Sequence, residues 1–87
     1  MNPELAKAYN NRGYAYYWNY EGEKAIPDYN QAIKLRPDYA YAYNNRGAAY
    51  MMSEDSEQAI RDFNRAIELQ PNFPQAYTLI WATHICI

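Results

Sequence analysis

The chain contains no valine, and its leucines, isoleucines and phenylalanines number only 4, 7 and 2 among 87 residues. At about 15% of the chain, these residues fall below the roughly 20% that marks disorder when net charge is high. The net charge is −2, from ten acidic and eight basic residues. Disorder is therefore not indicated, and neither is the basic footprint of a nucleic-acid binder. The three glycines, Gly13, Gly22 and Gly47, lie too far apart to form a phosphate-cradling loop. With His84 as the single histidine and Cys86 as the single cysteine, there is no nucleophile–base pair, multi-histidine metal site or internal disulfide. The two ligands of His84-x-Cys86 have no partners in the chain, so neither a metal nor a cofactor is expected. No stretch of eighteen apolar residues is present to span a membrane. The start, Met1-Asn2-Pro3-Glu4, lacks the basic and apolar regions of a signal peptide. Together with the lone cysteine, this makes the cytoplasm the expected compartment. No constellation for catalysis remains, and an enzyme is not expected.

Eleven tyrosines and thirteen alanines raise the hydrophobic fraction to 49%. An internal repeat explains them. Residues 6–39 laid on 40–73 without a gap give 18 identities in 34 positions. Ala8-Tyr9-Asn10-Asn11-Arg12-Gly13 recurs as Ala42-Tyr43-Asn44-Asn45-Arg46-Gly47. Ala32-Ile33-Lys34-Leu35-Arg36-Pro37 recurs as Ala66-Ile67-Glu68-Leu69-Gln70-Pro71. Residues 74–87 begin a third copy, with Ala76, Tyr77 and Ala82 still in register.

The apolar spacing within each copy is helical, with Tyr9, Gly13 and Tyr16 on one face and Ala25, Tyr29, Ala32 and Ile33 on another. Helices are predicted at about 5–19, 23–36, 40–53, 57–70 and 74–86. Short turns lie at Asn19-Tyr20-Glu21-Gly22 and Ser53-Glu54-Asp55-Ser56. Pro37 and Pro71 end the second helices, and Asp38 and Asn72 are candidate N-caps for the next ones. Glycine inside a helix costs about 1 kcal/mol against alanine. Gly13 and Gly47 therefore imply a close helix crossing, for which Ala25 with Ala32 and Ala59 with Ala66 supply small partners. Tyr9, Tyr16, Tyr29, Tyr43, Tyr50, Phe63 and Tyr77 are expected to pack as core around these contacts. Arg12 and Arg46, repeated in both copies, are expected to be structural and to lay their stems over the packed face.

These residues resemble the tetratricopeptide repeat (TPR) family over nearly the whole chain, as a single domain of residues 1–87. It comprises repeat one at 6–39, repeat two at 40–73, and a terminal capping or interface helix at 74–87. The Asn-Arg-Gly variant resembles repeats common in bacterial members. The resemblance implies an all-α right-handed solenoid of about five helices whose first helices line a concave groove. It also implies a non-catalytic scaffold for protein–protein recognition, typically of an extended or short helical peptide. Departures from the family pattern fall in the hairpin turns. Tyr20 and Glu54 stand where the family often has glycine, Gly22 comes two residues late, and Pro27 lies in the second helix where its copy is Arg61. A loosened first turn is predicted from these, and with it an easier exchange of helices between chains.

The face offset from the packing stripe holds Lys7, Asn10, Tyr14 and Tyr17, flanked by Asn11 and Trp18. The second copy offers Tyr41, Asn44, Ala48 and Met51, flanked by Asn45 and Met52, and the third offers Gln75 and Leu79. Lys7 is the only charge in this set, which suits apolar anchors and peptide hydrogen bonds. The asparagine pairs fit local stabilisation equally well. Some family members hold acidic C-terminal tails with a carboxylate clamp of lysine, arginine and asparagine. Of the matching places here, Asn45 alone agrees, while Asn10, Tyr14, Gln75 and Leu79 bring no positive charge. No such clamp is expected. The last helix, without a charged side chain from Thr78 to Ile87, has two readings. Trp81 folds over the vacancy left by the missing partner helix, or Leu79, Ile80, Trp81 and Ile85 form a patch for a homodimer.

Overall fold

The computed structural model describes residues 3–71, which form four helices: α1 (Pro3–Trp18), α2 (Gly22–Leu35), α3 (Ala40–Met52) and α4 (Ser56–Leu69). Helix α1 packs on α2 and α3 on α4 as two hairpins. Helix α2 joins the hairpins by packing on α3, and α1 also touches α3. The architecture is all-α, as the periodicity predicts, with each predicted helix in this range found within two residues. The predicted helix at 74–86 lies outside the described residues.

Both hairpin turns close in the same way. The backbone N–H of Glu21 donates to the carbonyl of Tyr16 at 2.8 Å, and that of Tyr20 to Tyr17 at 3.1 Å. In the second hairpin Asp55 donates to Tyr50 at 2.8 Å and Glu54 to Met51 at 3.0 Å. This double bond pattern ends a helix when the residue after the cap turns left-handed. Tyr20 and Glu54 do so, at φ 61° and 63°. The missing turn glycines therefore mark two residues held in a conformation that glycine adopts without cost. The first turn is no looser than the second, contrary to expectation. Pro27 removes one helical N–H at the sixth residue of α2, at an exposed position where its ring meets no packed neighbour helix, and α2 continues through it. Gly22 has an ordinary helical backbone and is not a displaced turn residue. It is buried where α2 meets the end of α3, and a Cβ on it would stand 3.2 Å from Met52 Sδ.

The helix starts follow sequence logic less closely. Asp55 caps α4 by accepting from the N–H of Gln58 at 3.3 Å. Asp38, the predicted cap of α3, is displaced by Tyr39, whose side chain makes no cap bond. Tyr39 is instead buried among Ala6, Ala32 and Ala42, and apolar burial decides this position over capping. Asn72 lies outside the described residues.

The core is built from rings on small residues. Tyr29 and Phe63 are the largest fully buried side chains, surrounded by alanines of which Ala25, Ala32, Ala42, Ala49, Ala59 and Ala66 are completely covered. Gly13 faces Tyr29 rather than the alanines the spacing suggested, whereas Gly47 meets both the Phe63 ring and the backbone of Ala59, one of its expected small partners. A Cβ on Gly13 would lie 2.7 Å from Tyr29 Cε1, and one on Gly47 2.6 Å from Phe63 Cε1. Tyr9, Tyr16, Tyr43 and Tyr50, expected in the core, are only half-buried at its edge. Tyr77 lies outside the described residues.

Candidate protein-interaction surface

Helices α1 and α3 lie side by side, and a side-chain bond ties them. Asn45 Nδ2 donates to Asn10 Oδ1 at 3.1 Å across the repeat boundary. Asn10 is 7% exposed, so this residue of the predicted groove joins repeats instead of offering its amide to solvent. Its counterpart Asn44 is equally buried, and Asn44 Oδ1 accepts no hydrogen bond among the described residues.

The remaining predicted groove residues divide by exposure. Lys7, Asn11, Tyr14, Trp18, Tyr41 and Met52 are exposed, whereas Tyr17, Asn45, Ala48 and Met51 are half-buried. Three rings gather at the end of α1. Trp18 meets Tyr14 and Tyr17 edge to face, with centroids 5.9 and 5.8 Å apart, an arrangement that the ring quadrupole favours. Trp18 remains 64% exposed. Gln75 and Leu79, expected in the third part of the groove, and Leu79, Ile80, Trp81 and Ile85, the alternative self-association patch, lie outside the described residues.

Charge sits elsewhere. Ion pairs join Lys24 to Glu21, Arg61 to Glu57 and Arg65 to Glu68, all on or beside α2 and α4. Arg12 and Arg46 project from α1 and α3 but turn inward, onto Asp28 and Asp62. Arg46 Nη2 and Nε donate to the two carboxylate oxygens of Asp62 at 2.7 and 2.8 Å, while Arg46 Nη1 donates to Asn30 Oδ1 at 2.9 Å. Arg12 makes the same fork on Asp28 at 2.6 and 2.8 Å. These two-point bonds hold the guanidinium protons more firmly than usual, for Arg12 and Arg46 alike. Each arginine also lies over a tyrosine of its own helix, Arg12 over Tyr9 and Arg46 over Tyr43. The structural role expected of these arginines thus rests on Asp28 and Asp62. Their signal in the sequence was the unchanged Asp at the same register of both copies.

A cavity of about 380 Å³ opens at the turn end, lined by Tyr20, Glu21, Gly22, Glu23, Lys24, Met52 and Ser53. It shares only Met52 with the predicted groove. Among the described residues, no three histidine, cysteine or acidic side chains cluster to hold a metal. Among them, too, no helix is long and apolar enough to cross a membrane.

Known proteins share this arrangement. A family model described as tetratricopeptide repeat matches residues 40–73, and one described as TPR repeat matches residues 21–54. No curated protein sequence matches the chain. Among solved structures, the TPR2AB domain of yeast Sti1 in complex with pHSP90 is 38% identical, with a TM-score of 0.84. That match covers 88% of this chain and 30% of the other. The first TPR domain of human RPAP3 is 32% identical with a TM-score of 0.88, over 93% of this chain and 64% of that one. The first TPR of Spaghetti (RPAP3), bound to the HSP90 peptide SRMEEVD, is 33% identical with a TM-score of 0.87. It covers 98% of this chain and 65% of its own. The chain thus spans less than two thirds of the length of each of these three structures. The repeat in the sequence, the paired hairpins and these matches agree, and the chain belongs to the tetratricopeptide repeat family.

Proposed function

We propose that this protein is a non-catalytic module that binds a peptide segment of another protein along the joined faces of α1 and α3. The family and its peptide-bound neighbours support a protein-interaction role. The character of the ligand follows from the chemistry of this face. One observation carries the reading: the ion pairs of α2 and α4 leave α1 and α3 with exposed rings, methionine and amides, and with Lys7 as the one outward cation of the predicted groove. Such a surface rewards apolar side chains and backbone hydrogen bonds rather than carboxylates.

The acidic peptide on the Spaghetti domain is therefore not the model for this ligand. Asn10, one of the clamp places, is buried and bonded to Asn45, and Tyr14 offers a ring where a clamp needs a polar donor. The test uses peptides selected from a displayed random library on the intact protein. Peptides with aromatic or aliphatic anchors are expected, and Tyr14→Ala combined with Met51→Ala abolishes their binding. Selection of acidic peptides whose binding collapses with salt overturns the reading.

A further inference from the structure

Tyr29 reaches from α2 to the seam where α1 meets α3. A Cβ on Gly13 of α1 would stand 3.1 Å from Tyr29 Cζ, the atom that carries the hydroxyl. Tyr29 also shares a buried cluster with Ala49 of α3, and the half-buried ring of Tyr17 packs against that cluster. Along α1, Gly13 lies one turn after Asn10 and one turn before Tyr17, both residues of the predicted groove. The Tyr29 hydroxyl therefore sits beneath the joined faces of α1 and α3. It is buried there with no hydrogen-bond partner among the described residues. Burial, followed by the neighbouring phenols of Tyr17 and Tyr14, holds its proton above the ordinary phenol range. The group is a donor at neutral pH.

The fold does not need this hydroxyl. Phe63 fills the same place in the second hairpin and meets Gly47 as closely as Tyr29 meets Gly13. Ala48 and Met51 stand there in place of Tyr14 and Tyr17, so that hairpin is built without any of the three phenols. An unpaired buried donor lowers stability, and its presence in one hairpin only marks a use outside packing. Gly13, Ala25 and Ala49 wall the ring with buried surface, while toward the groove its cover is Tyr17, half-buried beside the exposed Tyr14.

We propose that the Tyr29 hydroxyl is the buried anchor point of the peptide site. Tyr17 turns outward when a peptide binds, and Tyr29 Oη donates to one backbone carbonyl of that peptide. The acceptor is a neutral carbonyl and not a carboxylate, because the nearby Arg12 is engaged by Asp28 and leaves no cation for an anion. This subsite rests on the peptide-binding reading of α1 and α3, and adds to it the residue that fixes the ligand's register.

The affinity of a library-selected apolar peptide for the intact protein, read by fluorescence anisotropy, tests this. Tyr29→Phe is expected to melt higher than wild type and yet to bind about three- to tenfold more weakly, the weight of one hydrogen bond. Tyr16→Phe removes another phenol packed against the same cluster and should leave affinity unchanged. Exchanging the peptide's backbone carbonyls one at a time for thiocarbonyls, which are weaker acceptors, should find one position that weakens binding to wild type but not to Tyr29→Phe. Equal affinity of Tyr29→Phe and wild type overturns the proposal. So does a matching loss in Tyr16→Phe, or a loss that couples to no carbonyl. Peptide capture by the groove survives these results if Tyr14→Ala with Met51→Ala still abolishes binding; if no selected peptide binds there, both fall.

Discussion

Gly13 and Tyr29 meet so closely that a methyl group on Gly13 would stand 2.7 Å from Tyr29 Cε1 and 3.0 Å from Cδ1. The ring is completely buried and has no room to yield. Alanine at an ordinary helix position would gain about 1 kcal/mol over glycine, but overpacking a filled core costs about 1–3 kcal/mol. Gly13→Ala is expected to destabilise. Gly47→Ala is expected to destabilise more, because its Cβ would also press on the Ala59 carbonyl at 3.1 Å. Urea denaturation of both variants measures the order.

Tyr29 and Phe63 occupy the same place in the two repeats, and the hydroxyl is the only difference between them. Tyr29 Oη is buried without a hydrogen-bond partner among the described residues. Tyr29→Phe should therefore raise stability at neutral pH by about 1 kcal/mol, the cost of an unpaired buried group. The substitution should also change the alkaline limb. Burial pushes the Tyr29 phenol above its ordinary value, so the folded state keeps a proton that the unfolded chain loses. That contribution is constant below about pH 10 and declines as pH rises above it. Thermal melts from pH 8 to 11 should fall less steeply for Tyr29→Phe than for wild type.

The two arginine forks differ in burial, and this sets their weight. Arg46 has a side chain 20% exposed, against 61% for Arg12, while both carboxylate partners are 7% exposed. Arg46→Ala leaves Asp62 buried without its partner and also breaks the link to Asn30; a loss of about 2 kcal/mol or more is expected. Arg12→Ala should cost less, because solvent reaches the vacated site. Arg46→Lys should not restore stability, since an ammonium cannot make the two-point bond. Chemical denaturation of the three variants tests the ranking.

Tyr20 is 87% exposed and sits at φ 61°. Its side chain gives the fold little, while its backbone pays for a left-handed turn. Tyr20→Gly is expected to stabilise by about 1 kcal/mol, visible as a higher melting temperature.

The hairpins were legible because a 34-residue repeat and a helical period state the same thing twice. The junctions were less so. A small residue such as Gly13 announces that something comes near, but not whether an alanine or a ring arrives, and here Tyr29 does. Asn10 reads as a groove amide along its own helix, because its bond partner Asn45 lies on another helix and the contact exists only after stacking. Asp38 offers good capping chemistry, yet burial of Tyr39 beside Ala42 sets the start of α3. In each case the missing information is a distance between elements, which spacing along one element does not contain. The exposed rings Tyr14, Trp18 and Tyr41 were legible for the opposite reason. Their counterparts Ala48, Met52 and Lys7 show that packing alone does not dictate them.

Binding of an apolar peptide by the face of α1 and α3 is the proposal on which the function rests. It is tested most directly by an amide-shift titration of the intact protein with two probes: a library-selected peptide with aromatic and aliphatic anchors, and the acidic peptide SRMEEVD. The apolar peptide is expected to move the resonances of Tyr14, Asn45 and Met51, with little dependence on salt, and SRMEEVD is expected to move none of them. Salt-sensitive micromolar binding of SRMEEVD at these residues would contradict it, as would shifts from the apolar peptide confined to α2 and α4.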